Sequence, residues 1–330
     1  MSKLNSRVYG VAGIKSKMSN WNADFNGMPK SISTGEVFGS DKAFKYPIKK
    51  MWQNEGDKIL YVKSLKMDDT KKNEVKIRPR SLKERYEQIF DVQDLKKEKD
   101  MKQILRNLFT AEDVKNFGAT FAEEGNNISI TGAVQITQGF NKYDGHYVEE
   151  QQILSPFRNP KDDTNKDTGE AEEKDQSTLG TKIVSNEAHY LYGFAINPSV
   201  YKDFEDMGVT DGYTEQDYDK FKNGVLVAAT AYNTNAKVGC ENEFALFAET
   251  ENDLYLPDLA NYVTFEKSEK GEKDVIVLTE LTELLSGVQD SIEKISIYYN
   301  PITTVLRDIP DKAVLYNIFT KEQIDGEQKK

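Results

Sequence analysis

The chain is 330 residues long, 38% hydrophobic and 30% charged, with 17 Tyr and 16 Phe, enough for one large domain or two ordinary ones. No apolar run approaches the roughly 20 residues needed to span a bilayer, and the opening MSKLNSRVYG lacks the apolar stretch of a secretory signal. The single cysteine, Cys240, excludes an intrachain disulfide and a multi-cysteine zinc site, and a reducing cytoplasm is the consistent compartment.

Residues 6–16 (SRVYGVAGIKS), rich in Val, Ile and Tyr, predict a central strand. A polar loop follows, with Gly27, Pro29 and Gly35 where the backbone must turn. Ser40 and Asp41 then open a helix in which Phe44, Ile48, Met51 and Trp52 fall at i, i+4, i+7 and i+8 and share a face. Pro47 lacks an N–H and clashes with the preceding turn, so the helix either starts at Pro47 or is kinked there. Gly56 is a candidate C-cap, and residues 58–66 (KILYVKSLK) predict a second strand.

Residues 68–124 have a different texture. Leu95, Met101, Ile104, Leu105 and Leu108 recur at helical spacing, and Thr110 with Asp113 resembles a capping box. This reads as a mostly helical insertion. Residues 127–139 (NISITGAVQITQG) return to strand, with Ile128, Ile130, Val134 and Ile136 expected on one face. Residues 159–177 hold no aromatic or large aliphatic side chain and cannot bury enough surface to order themselves. The flanking segments 147–154 and 178–184 read as the arms of a long hairpin, and 189–198 as another strand. Thr214 with Asp217 caps a helix whose buried stripe is Tyr218, Phe221, Val225, Ala228 and Tyr232. Residues 234–240 connect it to a strand at 243–249. A strand at 274–278, a helix at 280–285 and a strand at 295–299 follow, and the tail beyond Pro301 is ambiguous. Without insertion and hairpin the order is strand–helix–strand, strand, strand–helix–strand, a ferredoxin-like α+β core.

Charge singles out one stretch. Residues 1–50 hold nine Lys and Arg against three Asp and Glu, a balance of +6, which leaves −17 for the rest of a chain whose net charge is −11. Lys42, Lys45, Lys49 and Lys50 lie on the predicted helix, and Asn20, Trp21, Asn22 and Lys30 in the loop before it. A basic patch on an acidic protein is an address for a polyanion; a solvated helix face is the plainer alternative. Trp21, Phe25 and Phe38 are interleaved with these residues, as suits single-stranded nucleic acid, where bases stack on rings and ammonium groups follow phosphates. Each ring taken alone is equally well a core anchor. Walker A, HExxH, GxSxG and CxxC patterns are absent, and neither His146 nor His189 sits beside a serine on a strained turn. Asp24 and Asp41 lie where a phosphate chain would pass and could hold Mg²⁺ or assist attack by a ribose hydroxyl. As plainer roles, Asp24 braces a turn and Asp41 complements the helix dipole.

Four stretches together resemble the guide-RNA-binding backbone subunit of type I CRISPR surveillance complexes (Cascade), and most closely the Cas-seven, or DevR-like, family of the I-B subtype. They are NWNADFNGMPK at 20–30, FGSDKAFKYPIKKMW at 38–52, FGATFAEEGNNISITGAVQITQG at 117–139 and TNAKVGCENEFALFAE at 234–249. The resemblance implies an RNA-recognition-motif palm with helical fingers and a protruding hairpin thumb. The palm would take 1–67, 125–144 and 185–330, the fingers 68–124 and the thumb 145–184. It implies no cofactor or metal and no catalysis. The partners it implies are a CRISPR guide RNA, target DNA through pairing with that guide, further copies of the chain and other Cascade subunits, with no membrane. Lys42, Lys45, Lys49, Lys50, Lys30, Asn20, Trp21 and Asn22 are the expected RNA contacts, with Lys237 and Asn242 at the other connection. Relatives in type III complexes cleave with an Asp in the loop after the first strand, so a metal-dependent ribonuclease using Asp24 is one alternative. A self-assembling structural protein without nucleic acid is the other.

Overall fold

The computed structural model describes residues 2–69, 75–155 and 178–324. The first strand, β1 (Arg7–Ser19), is the axis of the fold. Val8, Ala12 and Ile14 are buried in one apolar core, and Tyr9 and Val11 in another on the opposite face. The strand reads as a nearly continuous apolar run because both its faces are covered.

From β1 the chain passes through β2 (Phe38–Gly39) into α1 (Asp41–Asn54). The insertion follows, built from the ribbon β3 (Leu65–Asp69) and β4 (Val75–Pro79) and from α2 (Leu82–Phe90), α3 (Met101–Phe109) and α4 (Glu112–Phe117). After the pair β5 (Gly118–Phe121) and β6 (Ile128–Thr131) come β7 (Val134–Ile136), β8 (Gly139–Asn141), β9 (Val148–Leu154) and β10 (Thr178–Ile196). Then follow α5 (Lys202–Asp206), α6 (Glu215–Ala231) and β11 (Cys240–Thr250). The C-terminal part holds β12 (Thr264–Glu266), β13 (Asp274–Val277), α7 (Thr279–Ser286), β14 (Ile292–Tyr299), β15 (Thr304–Arg307) and β16 (Ala313–Asn317).

The main sheet runs β16-β14-β11-β1-β10-β8-β2, with β7 and β9 also paired to β10. α1 and α6 pack on one face, where Phe44, Ile48, Trp52, Phe221 and Val225 join the core. The two helices approach closely: a Cβ at Gly224 would come within 2.8 Å of Ile48 Cγ2. Leu259, Ile276, Leu281 and Leu285 from the C-terminal part cover the other face. Among the described residues, no helix is long and apolar enough to cross a membrane.

Of the two expected forms, α1 does not take the start at Pro47. It starts at Asp41, where the Ser40 hydroxyl accepts a hydrogen bond from Ala43 N at 3.2 Å, and it carries Pro47 inside. Gly56, with φ 96°, follows the C-cap residue Glu55. The capping box of Thr214 and Asp217 opens α6 as expected, with Tyr218, Phe221, Val225 and Ala228 buried and Tyr232 half-buried.

The expected strand at 58–66 does not form. Ile59 and Leu60 are fully buried, yet residues 58–64 pair with no strand. Side chains satisfy this backbone instead. Asp113 accepts from Leu60 N and Tyr61 N, each at 2.8 Å. Arg85 donates twice to the Ile59 carbonyl, at 3.1 and 2.6 Å. Buried peptide groups need partners, and here carboxylate and guanidinium supply what a neighbouring strand would have supplied. Asp113 is therefore not a capping-box residue, and α4 begins after Ala111 with no side-chain cap. The expected strand over 127–139 is broken at Gly132 and Ala133, because β6 pairs with β5 whereas β7 pairs with β10. The place beside β10 falls to β7 and β8.

The two arms of the hairpin pair antiparallel, from Val148 opposite Ser185 to Leu154 opposite Thr178, with a register shift between Thr178 and Gly180. Its second arm and the strand expected at 189–198 are one continuous β10, which pairs with β1 from Ser185 to Ile196. The expected division at 184 thus falls inside a strand. The acidic tip at 159–177 lies outside the described residues. The ambiguous tail holds β15 and β16, parallel to β13 and β14 respectively.

Candidate nucleic-acid interface

The loop between β1 and α1 is tied together along its length. Asn20 N donates to Ala236 O at 2.9 Å, Lys30 N to Asn22 O at 2.8 Å and Phe38 N to Lys30 O at 2.9 Å. Isolated bridges join Ala23 to Pro29 and Ser31 to Val37. Trp21 is the loop's anchor. Its ring is buried and its Nε1–H donates to the Tyr192 hydroxyl at 2.6 Å, while Phe44 packs on Tyr192 with ring centroids 4.7 Å apart. Burial holds the Tyr192 hydroxyl well above the usual tyrosine pKa, so it stays a neutral partner. Gly39 must be glycine, since a Cβ there would meet the Tyr192 hydroxyl and the Trp21 ring.

Asn20 is buried as well, and its Nδ2 donates to Gly27 O at 2.9 Å and to Ile183 O at 3.4 Å. The loop therefore leans on the base of the β9–β10 hairpin. Lys237 clamps it from the other side, donating to the carbonyls of Asn20 and Trp21 with its ammonium 5.3 Å from the Trp21 ring centroid. Burial pushes the Lys237 pKa down to about 8. Asn242 is buried, donating to Val225 O at 2.7 Å and accepting from Thr230 N at 3.0 Å. Its amide is used within the fold. Asn22 is half-buried and accepts from Ser40 N at 2.7 Å, which joins the loop to the helix start.

The four lysines of α1 divide into two stripes. Lys45 pairs with Asp41 at 2.9 Å, one turn back, and lies 5.3 Å from the Phe117 ring centroid. Lys49 donates to the Tyr61 carbonyl at 2.9 Å, and burial draws its pKa below the ordinary lysine value. These two are engaged by the insertion side of the helix. Lys42, Tyr46 and Lys50, at i, i+4 and i+8, form the other stripe. Lys42 is exposed and makes no hydrogen bond or ion pair among the described residues; Lys50 reaches Gln53 Oε1 at 2.6 Å. Tyr46 is exposed and meets Tyr232 edge-on at 5.7 Å. The sequence reading passed over Tyr46, though its spacing from Lys42 and Lys50 was visible. Lys30 is exposed, with its ammonium 5.5 Å from the Phe38 ring centroid.

Asp24 spends one carboxylate oxygen on its own turn, accepting from Asn26 N at 2.8 Å and Met28 N at 2.9 Å. Asp41 has a depressed pKa: burial opposes the charge, but Lys45 and backbone donors outweigh it. His189 packs inside the fold. It is buried, with Nδ1 2.8 Å from Glu243 and Nε2 3.2 Å from Glu187. Glu187, His189 and Asp274 converge within 4.8 Å of one another. The Lys267 ammonium, 2.7 Å from Glu187 and 3.0 Å from Asp274, already supplies a cation there. A cleft of about 980 Å³ between the insertion and α6 is lined by both signs of charge, and its Lys115 and Lys220 pair with Asp217 and Asp57, each at 2.6 Å. Most cations in these two places are thus paired with carboxylates, though Arg106 at the cleft is exposed and reaches only the Gly208 carbonyl, at 3.4 Å. Among the described residues Lys30, Lys42 and Lys50 have no ion pair either.

The profile of the family described as CRISPR-associated protein Cas7 matches residues 6–281. No curated sequence matches the chain significantly. A solved chain titled "CRISPR RNA-guided surveillance complex, pre-nicking" superposes with a TM-score of 0.51 at 14% identity, covering 94% of this chain and 96% of its own length. Another, titled "CRISPR RNA-guided surveillance complex", gives 0.48 at 14% identity and covers 89% and 88%. At such identity the likeness is one of fold. The profile match takes in β1, the anchored loop, α1, the β9–β10 hairpin and α6, and by that extent the chain belongs to the CRISPR-associated protein Cas7 family.

Proposed function

We propose that the chain binds a CRISPR guide RNA without reading its sequence, as the repeated backbone subunit of a type I surveillance complex of the I-B kind. The family match over residues 6–281, which includes the anchored basic loop and helix, is the observation that carries this reading. The order β11-β1-β10-β7/β8, with α1 after β1 and α6 after β10, supports an RNA-recognition-motif palm. In this reading the insertion at 68–124, entered through the β3–β4 ribbon, serves as fingers and the hairpin at 145–184 as thumb.

Lys30, Lys42 and Lys50 hold the guide backbone, with Asn22 and Tyr46 beside them. Such phosphate contacts fix position and carry no base information. Asn20, Trp21, Lys45, Lys49, Lys237 and Asn242 act through the fold, by fixing the loop and helix that present these groups. The covered sheet leaves no open β-platform for bases, which supports a route over the loop and α1 instead. Copies of the chain lie side by side along the guide, joined to other Cascade subunits in the cytoplasm. Exposed apolar side chains on the ribbon (Leu65, Met67, Ile77) and on the hairpin (Tyr147, Ile153, Leu154) suit such contacts. The guide's base edges face outward for pairing with target DNA, so specificity lies in the pairing. In this reading the chain itself cuts nothing, and Asp24 serves its turn, one carboxylate oxygen accepting from Asn26 N and Met28 N.

The test is the RNA carried by the purified protein. The 260 to 280 nm absorbance ratio should show nucleic acid, and sequencing should return CRISPR guides. Protein free of RNA and without affinity for it would favour the structural alternative. RNA cleavage with Mg²⁺ that disappears in Asp24→Ala would favour the ribonuclease.

A further inference from the structure

Of the three aromatic rings that the sequence places beside the basic helix, the fold consumes two. Trp21 is buried against Tyr192, and Phe38 packs on Phe140 with centroids 5.8 Å apart. Phe25 is fully exposed. It stands at the tip of a turn closed by Asp24, whose carboxylate accepts from Asn26 N and Met28 N and whose backbone N–H donates to Met28 O at 2.8 Å. Gly27 completes the turn with φ 83° and donates to Asp24 O at 3.2 Å. On its inner side Asn20 binds the Gly27 carbonyl, so the backbone carrying the ring is fixed before any partner arrives. A pre-set contact group spares a partner part of the ordering cost of binding.

The surroundings say what kind of partner fits. Ala23, Asp24, Asn26, Lys30, Ser31 and Ser33 are exposed, and Ile32 is the one other exposed large apolar side chain among the loop's described residues. A protein partner that buries a phenyl ring normally also covers an apolar patch around it, and here Ile32 lies seven positions along and is only 38% exposed. A ring beside an amide, hydroxyls and the Lys30 ammonium matches a nucleobase with its phosphate nearby, on a turn whose Asp24 carboxylate already accepts from two backbone N–H groups.

We propose that Phe25 is a base-stacking residue that takes the face of one unpaired nucleobase in the single-stranded RNA passing Lys30 and Lys42. This rests on the RNA-binding reading above and adds a base contact to an interface otherwise made with the backbone. Stacking tolerates any base, because every base has a π-face.

The test uses the full chain and single-stranded RNA of about 12 nucleotides, within the span that such grooves occupy. Phe25→Ala should weaken binding by roughly five- to a hundred-fold, the range for losing one stacked base. Its salt dependence should match wild type, since no phosphate contact is lost. RNA of the same length made abasic throughout should bind wild type and Phe25→Ala equally. Phe25→Trp should keep the affinity, and the introduced indole should be quenched as RNA is added. Trp21 and Trp52 are both buried, so subtracting the wild-type signal isolates it. Unchanged affinity in Phe25→Ala, or no quenching at saturation, overturns the proposal. Loss of self-association in Phe25→Ala with RNA affinity intact also overturns it, by making the ring a protein contact. A wild-type chain that binds no RNA defeats the RNA reading itself, a distinct result.

Discussion

Lys42 and Lys49 lie seven positions apart on one helix, yet they do different work. Lys42 is exposed, whereas Lys49 is drawn inward to the Tyr61 carbonyl. Lys42→Ala should flatten the log–log salt dependence of RNA binding by about 0.7, the contribution of one phosphate on a single strand. Its melting behaviour should stay within about 0.5 kcal/mol of wild type, as for an ordinary surface change. Lys49→Ala should do the reverse. It leaves the half-buried Tyr61 carbonyl without this donor at a cost of about 1 kcal/mol, read by denaturant unfolding, while the salt slope stays unchanged. Composition revealed the lysines but not this division. Whether an ammonium is free depends on Tyr61, which reaches the helix only through a chain segment held by Asp113.

At the scale of elements, what the sequence made legible was what local periodicity encodes. The apolar face of α1, the capped and striped α6 and the hairpin arms all follow from repeats of 3.6 or 2 residues. The segment 58–64 misled because its apolar pattern is that of a strand while its partners are the Asp113 and Arg85 side chains. No rule of spacing announces such partners. Asp113→Ala should therefore cost about 2 kcal/mol or more, since it orphans two buried N–H groups, and Asp113→Asn should cost less. Denaturant midpoints check both. The hairpin gives an element-scale prediction in assembly. Replacing residues 147–184 by a short Gly-Ser loop should keep a cooperative melt, because β10 still pairs with β1 from Ser185 onward. It should abolish ordered arrays on long RNA, as read by analytical ultracentrifugation. Loss of the cooperative melt would place the hairpin in the folding core.

For the whole molecule, the C-terminal part matters as much as the loop, because it closes the second face of the sheet. Part of that closure is ionic. Burial opposes a charge on His189, but Glu243 and Glu187 outweigh it and its pKa lies above the ordinary 6.5. Glu187 is held down to about 2, first by its hydrogen bond to His189 and then by Lys267. A raised histidine contributes stability that is complete below pH 6.5 and is lost as pH climbs through the raised value. A depressed carboxylate contributes above its ordinary 4.5 and loses that as pH falls toward 2. The cluster is thus strongest between these limits. Between pH 6 and 9 the wild-type melting temperature should fall more than that of His189→Gln, and parallel curves would remove His189 from the account. In the proposed reading RNA runs over the loop and the outer stripe of α1, with recognition confined to the backbone apart from one stacked base. The most direct measurement is the affinity of the full chain for several unrelated single-stranded RNAs of equal length, each across a salt series. The account predicts closely similar Kd values for all of them, rising steeply with salt, and intact RNA after incubation with Mg²⁺. Strong preference for one sequence, no measurable binding, or cleavage of the RNA would contradict it.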